Sequence, residues 1–393
     1  MKRYWKIITL SIVTVIVLGS YLIQSSLAAE NIQVEFEKVS GDESLVENIV
    51  LNAQYEVGDI YQSFLISKGE TTNLSNRSVF QQLSGHGFDS YSNQLIENYK
   101  QFMRGKYLFP SSFYDDESLL IYANIEGRSI NASTVNSYFD IDVLDKKSKE
   151  STSMKIDLPK NSDYSWVDMV DIQILDGKLK LITRASRING GEDFTVYTID
   201  LKGKKVTNEE VIYSSPIVEN GWSGFRVFND YYSSQPQNYL LFKVEAEEYN
   251  DDNGESTNIA NELMVYDIEN NKAVKMELPE DFAGVLDNSI VSNSILYIPV
   301  LSVNGVEVIQ YDIEAEKWDK KQTFKVGQSG DSENSYFVKL KDEKIYIISS
   351  TNDGYILSIG DINTGESLYE GKLIIKSQKS DQKEYRIYFS DIK

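Results

Sequence analysis

The sequence predicts an all-β fold, and three observations lead to this prediction. Tyrosine and phenylalanine are abundant, at 26 and 16 residues, whereas proline is scarce at 6. Aromatic residues suit the half-buried surface of a sheet. Apolar stretches of strand length recur along the chain, and nearly the same polar turn follows several of them. We therefore predict a β-propeller of six to seven blades, preceded by an N-terminal hydrophobic helix.

The first 28 residues are predicted to be a signal peptide or a membrane anchor, with the propeller domain at 29–393. Three basic residues among the first six precede an apolar run at 7–23. Ser26 and Ala28 provide an S-x-A cleavage site. A run of this length also approaches the roughly 20 residues that span a bilayer, so both alternatives stay open. In both, the basic flank places the rest of the chain outside the cytoplasm.

Composition excludes several classes of function. The chain carries a net charge of −21 and no cysteine. A protein this acidic repels nucleic acid and anionic lipid head groups, so membrane contact is expected only through the N-terminal segment. Disulfides, thiolate zinc sites and cysteine nucleophiles are impossible. The single histidine, His86, excludes a multi-histidine metal site, and we expect no metal and no catalytic role for His86.

Five copies of a repeat align on the aspartate that ends their second strand. The aligned residues are Asp145, Asp200, Asp267, Asp312 and Asp361. Each copy reads as a strand, a loop, a second strand, a short polar turn and a third strand. The carboxylate is expected to accept hydrogen bonds from backbone amides just ahead of it. Gly203, Gly365 and Asn271 are expected to supply the positive φ that such turns need.

The spacing of these aspartates predicts the propeller. The intervals are 55, 67, 45 and 49 residues, and the longest one contains an acidic hairpin insert at 249–260. A period of about 40 to 50 residues with several strands per unit is typical of a propeller blade. Residues 47–67 are expected to supply two more strands and 383–392 a last one. First and last strands that share a blade leave no free edge, and we prefer seven blades to six.

One helix is predicted within "SNQLIENYKQFMRG", residues 92–105. Its apolar residues recur at helical spacing and are Leu95, Ile96, Tyr99, Phe102 and Met103. Ser92 is the expected N-cap and Gly105 the expected end. This helix is predicted to pack against one end of the sheets.

Residues 359–369, "IGDINTGESLY", resemble the repeat of quinoprotein-type (PQQ-like) propellers. Asp361, Thr364 and Gly365 match that repeat, and Tyr369 replaces its tryptophan. Asp312 with Trp318 matches it loosely. The resemblance implies the fold. It implies no quinone, because many such propellers are scaffolds without a cofactor, and we expect none.

The segment "NGWSGFRVFNDYYSSQ", 220–235, holds the candidate ligand-binding residues. These are Trp222, Phe225, Arg226, Tyr231 and Tyr232. Exposed aromatic residues can form a binding hot spot. Packing between sheets explains the same aromatic residues without a ligand, and this alternative stays open. Arg184, Arg187 and Arg226 could also face a central channel.

No catalytic or metal-binding motif emerges from the sequence. The insert "YNDDNGES" resembles a calcium loop, but Tyr249 and Ala260 occupy the first and twelfth positions, where carboxylates are required. Carboxylate pairs are too frequent among 60 acidic residues for spacing to select an acid and a base. We therefore expect no catalytic site and prefer a non-enzymatic protein to an enzyme.

The leading functional prediction is a non-enzymatic propeller of the bacterial cell envelope, secreted or anchored by its N-terminal segment. It would bind or scaffold a protein or cell-envelope ligand, with 220–235 and 249–260 as interface segments. The alternative is a hydrolase or lyase that acts on a cell-envelope polymer through the central channel. A sensor domain is disfavoured, because almost no cytoplasmic segment precedes Ile7.

Overall fold

The computed structural model describes residues 9, 12–14, 17, 32–57, 60–74, 90–127, 137–228, 236–250, 253–278, 286–302, 305–326, 336–351, 354–377 and 386–392. Most of the predicted N-terminal segment, with His86, Tyr231 and Tyr232, lies outside these ranges. Within them, no helix has the length and apolar character that a membrane crossing requires. The N-terminal hydrophobic helix and the division into 1–28 and 29–393 therefore stay predictions.

The described residues include 25 strands and the nine-residue α-helix α1 (Ser90–Asn98). The strands are β1 (Ile32–Gly41), β2 (Val50–Val57), β3 (Ile60–Ser67), β4 (Glu70–Asn73), β5 (Phe113–Asp115), β6 (Leu119–Glu126), β7 (Tyr138–Asp145), β8 (Ser151–Asp157), β9 (Tyr164–Leu175), β10 (Lys178–Arg187), β11 (Glu192–Asp200), β12 (Lys205–Ser214), β13 (Gly221–Val227), β14 (Tyr239–Tyr249), β15 (Ser256–Asp267), β16 (Lys272–Met276), β17 (Ile290–Ser292), β18 (Ile295–Ser302), β19 (Gly305–Asp312), β20 (Lys317–Phe324), β21 (Phe337–Lys341), β22 (Lys344–Thr351), β23 (Gly354–Asp361), β24 (Ser367–Ser377) and β25 (Arg386–Ile392).

These strands form six antiparallel sheets of four or five strands. In strand order they are sheet 1 (β25-β2-β3-β4), sheet 2 (β5-β6-β7-β8), sheet 3 (β12-β11-β10-β9), sheet 4 (β13-β14-β15-β16), sheet 5 (β17-β18-β19-β20) and sheet 6 (β1-β24-β23-β22-β21). Each of the five repeats predicted from the sequence supplies three consecutive strands of one sheet. The predicted β-propeller is confirmed, and the described residues supply six blades rather than the preferred seven.

The C-terminal strand shares sheet 1 with the strands of residues 47–67, as predicted. The C-terminal strand β25 pairs with β2, with Leu51 opposite Ile392. Residues 47–67 supply β2 and β3, also as predicted. Strand β1 was not predicted from the sequence. It pairs along β24 as the fifth strand of sheet 6. Both pairings cover a strand edge that would otherwise be open to another chain.

The chain divides into two compact units. Unit 1 comprises 1–85, 297–310 and 319–393, and unit 2 comprises 86–296 and 311–318. In unit 1, apolar residues of sheets 1 and 6 form one core, which includes the buried Leu51, Phe64 and Leu357. Burying each such side chain contributes about 1.5–3 kcal/mol.

In unit 2, sheet 3 is covered by apolar residues on both faces. Leu179 and Leu181 of β10 pack with Phe139 of sheet 2. Ile182 points to the opposite face and packs with Phe242 of sheet 4. Alternate side chains of a strand face opposite sides of the sheet, so a strand between two neighbours is apolar on both sides. This packing explains why β10 lacks a simple apolar and polar alternation.

Helix α1 is shorter than predicted and begins earlier. It ends at Asn98, and turns continue to Gly105, whose φ is 79°. The prediction of Ser92 as the N-cap is wrong, since Ser92 lies inside the helix and donates from Oγ to the Leu108 carbonyl at 3.4 Å. Leu95 lies in the helix and Phe102 lies in the turns after it, yet both side chains pack on residues of sheet 2. Their apolar spacing therefore reflects burial against this sheet and does not require a continuous helix.

The repeated aspartates fold the turns as predicted. Oδ1 of Asp145 accepts from the amides of Lys147 and Ser148 at 3.0 and 2.7 Å. Oδ1 of Asp361 accepts from Asn363 and Thr364 at 2.9 and 2.8 Å. The other three aspartates accept from amides ahead of them, among which are those of Lys202, Asn270 and Ala315. The side chain thereby supplies partners that the turn backbone lacks.

The positive φ lies four residues after the aspartate in all five turns. It falls on Lys149, Lys204, Asn271, Glu316 and Gly365, with φ between 50° and 78°. The predictions for Asn271 and Gly365 are confirmed, and that for Gly203 is wrong. Gly203 lies three residues after Asp200, one position too early for the residue that reverses the chain. Only the register of the turn, and not the presence of glycine, decides where the left-handed residue falls.

The same turns join neighbouring sheets within each unit. In unit 2, Lys180 of sheet 3 donates from Nζ to the Ile268 carbonyl and to Oδ1 of Asn271 in the turn of sheet 4. In unit 1, Nε2 of Gln310 in sheet 5 donates to the Ile362 carbonyl in the turn of sheet 6, at 3.1 Å. Ile268 and Ile362 each follow the turn aspartate. The turn therefore fixes both its own hairpin and the contact with the preceding sheet.

We predict opposite stability changes at two equivalent turn positions. Gly365→Ala is expected to lower the free energy of unfolding by about 1–2 kcal/mol, because an L-residue is strained at positive φ. Lys149→Gly is expected to raise it by about 0.5 kcal/mol, since relief of that strain is partly offset by the entropy of glycine in the unfolded chain. Urea unfolding of both variants measures the two changes. A loss in both variants would contradict this account.

We also predict that acid destabilises the protein through these turns. Hydrogen bonds from Ser148 and from Gly203 lower the pKa values of Asp145 and Asp200. Burial raises the pKa of Asp361, but hydrogen bonds from Thr364 and Asn363 outweigh it and the net pKa is lowered. A carboxyl whose folded pKa lies below its unfolded value stabilises the fold above about pH 4, and this contribution is lost as the pH falls through the folded value.

The triple variant Asp145→Asn, Asp200→Asn and Asp361→Asn tests this effect. Asparagine keeps an acceptor oxygen but does not titrate, so its unfolding free energy should fall less between pH 6 and pH 3 than that of the natural chain. Urea unfolding at both pH values gives the comparison. A matched control is Glu117→Gln, Glu150→Gln and Asp157→Asn, which changes the charge equally at exposed positions. An equally reduced loss of unfolding free energy in both triple variants would instead attribute the pH dependence to overall charge.

Candidate functional site

Sheet 4 brings the two predicted interface segments together. Strand β13 carries the start of the aromatic segment 220–235, and the turn between β14 and β15 lies in the acidic insert 249–260. Trp222 lies directly opposite Glu247, and Tyr249 lies opposite Ser256. Segments about 30 residues apart in sequence therefore meet at one end of a single sheet. Antiparallel pairing through β14 causes this meeting.

The insert forms the hairpin that the sequence analysis preferred. Strands β14 and β15 have 11 and 12 residues, and the backbone amide of Asn250 donates to the Glu255 carbonyl at 2.9 Å. Gly254 adopts φ of 71° and donates its amide to the Asn250 carbonyl. Oδ1 of Asn253 accepts from the Glu255 amide at 3.0 Å. Side-chain and backbone bonds thus hold the reversal, whose residues 251 and 252 lie outside the described ranges.

We name the exposed residues at this end of sheet 4 the tip surface. It comprises Trp222, Glu247, Glu248, Tyr249 and Ile259. Its three large apolar side chains are 45–48% exposed. Trp222 and Glu247 share one face because they are directly opposite, and Tyr249 follows on that face two residues later. Across the described part of the chain, Glu247 and Glu248 have no ion pair.

Gly221 allows the tip surface to form. A Cβ at this position would lie 1.9 Å from the carbonyl oxygen of Glu247. Only glycine permits such a close approach of two backbones. The first residue of β13 thereby seats against β14, and Trp222 is held at a fixed place beside Glu247.

Phe225 belongs to the core rather than to an exposed surface. The side chain is 2% exposed, and its ring lies 5.8 Å from Phe194 and 5.6 Å from Phe242 between centroids. Trp222 and Phe225 are three residues apart, so they point to opposite faces of β13. The packing alternative, which the sequence analysis left open, therefore describes Phe225. Tyr231 and Tyr232 lie outside the described residues.

Arg226 lies on the same face of β13 as Trp222. Its Nη2 donates to Oδ2 of Asp287 at 2.6 Å, and both side chains are 56% exposed. The guanidinium also lies 5.4 Å from the centroid of the Phe228 ring. Because its side chain is this exposed, Arg226 remains accessible to a ligand. The exposed ion pair with Asp287 contributes little to stability.

Arg184 forms a hydrogen bond with the backbone at the edge of β13. Its Nη1 donates to the Phe225 carbonyl at 2.9 Å, while the Phe225 amide donates to Oε2 of Glu192 at the same distance. β13 is an edge strand of sheet 4, so its outer backbone groups have no strand partner. A cation and an anion from sheet 3 satisfy both groups, which blocks pairing with another strand.

Arg187 is a structural residue. Its side chain is 16% exposed and donates to the Gly190 carbonyl, to Oδ1 of Asp193 at 2.9 Å and to the Ser215 carbonyl at 2.6 Å. Asp193 also accepts from the hydroxyl groups of Tyr164 and Ser214. This network ties together the ends of β10, β11 and β12 and leaves the guanidinium little freedom to bind a ligand.

Asp171 carries a buried carboxylate that no sequence pattern predicts. Burial raises the pKa of Asp171 in β9 to about 6, although hydrogen bonds from Gln237 and Gln173 oppose the rise. Oδ2 of Asp171 accepts from their amide groups at 2.8 and 3.0 Å. Asp171 is 4% exposed, so its contacts are with neighbouring side chains rather than with solvent. Among the described residues, no group of three potential metal ligands converges.

Comparison with solved structures finds β-propeller proteins at low similarity. TolB from Acinetobacter baumannii is 13% identical with a TM-score of 0.30, and the match covers 86% of this chain and 66% of that one. The periplasmic gluconolactonase PpgL of Pseudomonas aeruginosa is 12% identical, with a TM-score of 0.29 and coverage of 86% and 99%. The β-propeller domain of the Trilobed protease from Pyrococcus furiosus is 9% identical, with a TM-score of 0.29 and coverage of 86% and 97%.

No family model and no curated protein matches the chain. The chain spans about two thirds of the length of TolB. The assignment of the fold therefore rests on the strand order of the six sheets.

We predict that two of the candidate arginines differ sharply in their effect on stability. Arg187→Ala should lower the free energy of unfolding by about 3 kcal/mol, because it leaves Asp193 buried without its cation. Arg226→Ala should change it by less than about 0.5 kcal/mol, because the pair with Asp287 is exposed. Urea unfolding at pH 7 measures both. Similar losses in the two variants would contradict the structural role assigned to Arg187.

Proposed function

We propose that this protein is an extracytoplasmic, non-enzymatic module that binds or scaffolds a protein or cell-envelope ligand through the tip surface. The observation that carries the proposal is the exposure of Trp222, Tyr249 and Ile259 at one end of sheet 4. Large apolar side chains that cluster in the open are typical of binding surfaces. Arg226, which shares the face of Trp222, extends the proposed surface along β13.

The geometry of the sheet supports a surface that is organised before the ligand arrives. Gly221 seats β13 against β14, and Arg184 with Glu192 satisfies the outer edge of β13 at Phe225. A surface whose backbone is held in place loses little conformational entropy on binding. The exposed Trp222 then resembles the aromatic anchors that dominate the energetics of protein interfaces.

The proposed location rests on the N-terminal sequence. Basic residues, an apolar run and the small residues Ser26 and Ala28 form the pattern of an export signal. Cleavage would release the protein outside the cytoplasm, and retention would anchor it to the membrane. Either outcome would expose the tip surface to other components of a bacterial cell envelope.

The enzymatic alternative receives less support from the candidate arginines. A hydrolase or lyase of an anionic polymer would need arginines free to hold substrate. Arg226 is exposed, but Arg184 instead bonds the backbone of Phe225, and Arg187 is enclosed by Asp193 and two carbonyl groups. Turnover of an envelope polymer by the purified chain would reverse this preference.

Binding to isolated cell envelopes tests the proposal. We predict that the full chain, purified in non-ionic detergent, cosediments with envelopes and that Trp222→Ala weakens this binding about tenfold, as expected for an aromatic anchor. Tyr388→Ala is the matched control, because Tyr388 is 43% exposed against 46% for Trp222 and lies outside the tip surface. Circular dichroism verifies that both variants fold.

Equal binding by Trp222→Ala and the natural chain would remove the tip surface from the proposal. Absence of any binding to envelopes would overturn the binding function itself.

A further inference from the structure

We infer that the tip surface binds a cationic, partly apolar polypeptide segment. This inference rests on the proposed function and specifies its partner. The observation that carries it is the combination of exposed carboxylates and exposed apolar side chains on the same few residues of β13, β14 and β15. Neither property alone would select this partner, because carboxylates alone suit many cations and apolar groups alone suit many proteins.

The charge of the tip surface favours a cation. Glu247 and Glu248 are exposed, and Glu255 follows at the hairpin turn. Glu245, two residues before Glu247, is already paired with Lys243 at 2.6 Å. Glu247 and Glu248 lack such an internal cation among the described residues, so their charge is available to a partner. Acidic residues at the rim of an interface accelerate association with a cationic partner and make it dependent on ionic strength.

The apolar side chains favour a polypeptide over a simple ion. Trp222 lies beside Glu247, so a lysine or arginine that pairs with the carboxylate can also rest over the indole ring. A cation over tryptophan is stabilised by the ring quadrupole. Tyr249 and Ile259 then offer apolar area to neighbouring side chains of the same segment. A metal ion would use the carboxylates and leave these three side chains without a role.

The overall charge supports the same partner. The chain carries −21, so an acidic protein or an anionic polymer would be repelled over long distances. Cationic polypeptides are attracted, and the tip surface gives the attraction a defined place. The tip surface is thus a local site that variants must distinguish from the general acidity of the chain.

The test uses a fluorescein-labelled decapeptide of alternating lysine and valine, with an alternating glutamate and valine peptide for comparison. Fluorescence anisotropy measures their binding to the full chain in non-ionic detergent, with a micelle blank. We expect the lysine peptide to bind and the glutamate peptide not to bind. Raising the salt from 0.1 M to 1 M should weaken the binding, because the Debye length falls from about 10 Å to about 3 Å.

Two matched double variants locate the site. Glu247→Gln with Glu248→Gln should weaken binding of the lysine peptide by about fivefold or more, since two surface ion pairs are lost. Glu117→Gln with Glu150→Gln removes the same charge at exposed positions between strands of sheet 2 and should change the affinity by less than about twofold. Trp222→Ala should also weaken the binding, through loss of the contact with the cation.

Equal losses in the two double variants would overturn the inference, because the peptide would then respond only to net charge. Calcium binding that displaces the lysine peptide and depends on Glu247 and Glu248, with no effect of Trp222→Ala, would overturn it in favour of a metal ion. Envelope binding that needs Trp222 but not Glu247 and Glu248 would overturn the inference and leave the proposed function standing.

Discussion

The fold depends on an aspartate carboxylate that accepts hydrogen bonds from the backbone amides two or three residues ahead of it. In each of five sheets this interaction reverses the chain between the last two consecutive strands of the repeat, and the left-handed residue falls four positions after the aspartate. The carbonyl that follows the aspartate is then presented to the preceding sheet, where Lys180 and Gln310 donate to it. One local constraint thus supplies the hairpin, its register and a contact between sheets. A chain that repeats this turn repeats the whole arrangement.

The packing of the sheets explains where large apolar side chains remain exposed. Sheet 3 buries Leu181 on one face and Ile182 on the other, since a four-stranded sheet cannot cover its own apolar sides. Sheet 4 follows the same rule through Phe225 and Phe242. Its hairpin of β14 and β15 is longer than the repeat requires, and there the apolar side chains of Tyr249 and Ile259 become exposed. The candidate site therefore lies where the sequence departs from its own period, within the interval of 67 residues.

Individual residues of this site differ in how far the sequence could identify them. Trp222 and Phe225 stand in one aromatic segment and look equivalent in sequence. Their separation by three residues places them on opposite faces of β13, but alternation does not say which face meets sheet 3. Arg184 and Arg187 likewise look like free cations until the carbonyl groups of Phe225 and Ser215 are placed beside them. Glu247 and Glu248 cannot be distinguished in sequence from the other acidic residues among 60, and only their positions opposite Trp222 and Gly221 make them distinct.

The sequence by itself determined the all-β class, the repeated turn, the sharing of a sheet by the C-terminal strand and residues 47–67, and the hairpin nature of the acidic insert. These features follow from interactions between residues close in sequence, or from the period of the repeat. Tertiary structure decided the number of sheets in the described residues, the position of the left-handed residue after Asp200, and the division of Trp222 and Phe225 between surface and core. It also decided that 220–235 and 249–260 meet. Each of these outcomes depends on register and on contacts between segments distant in sequence, and a list of residues carries no record of which segments pair.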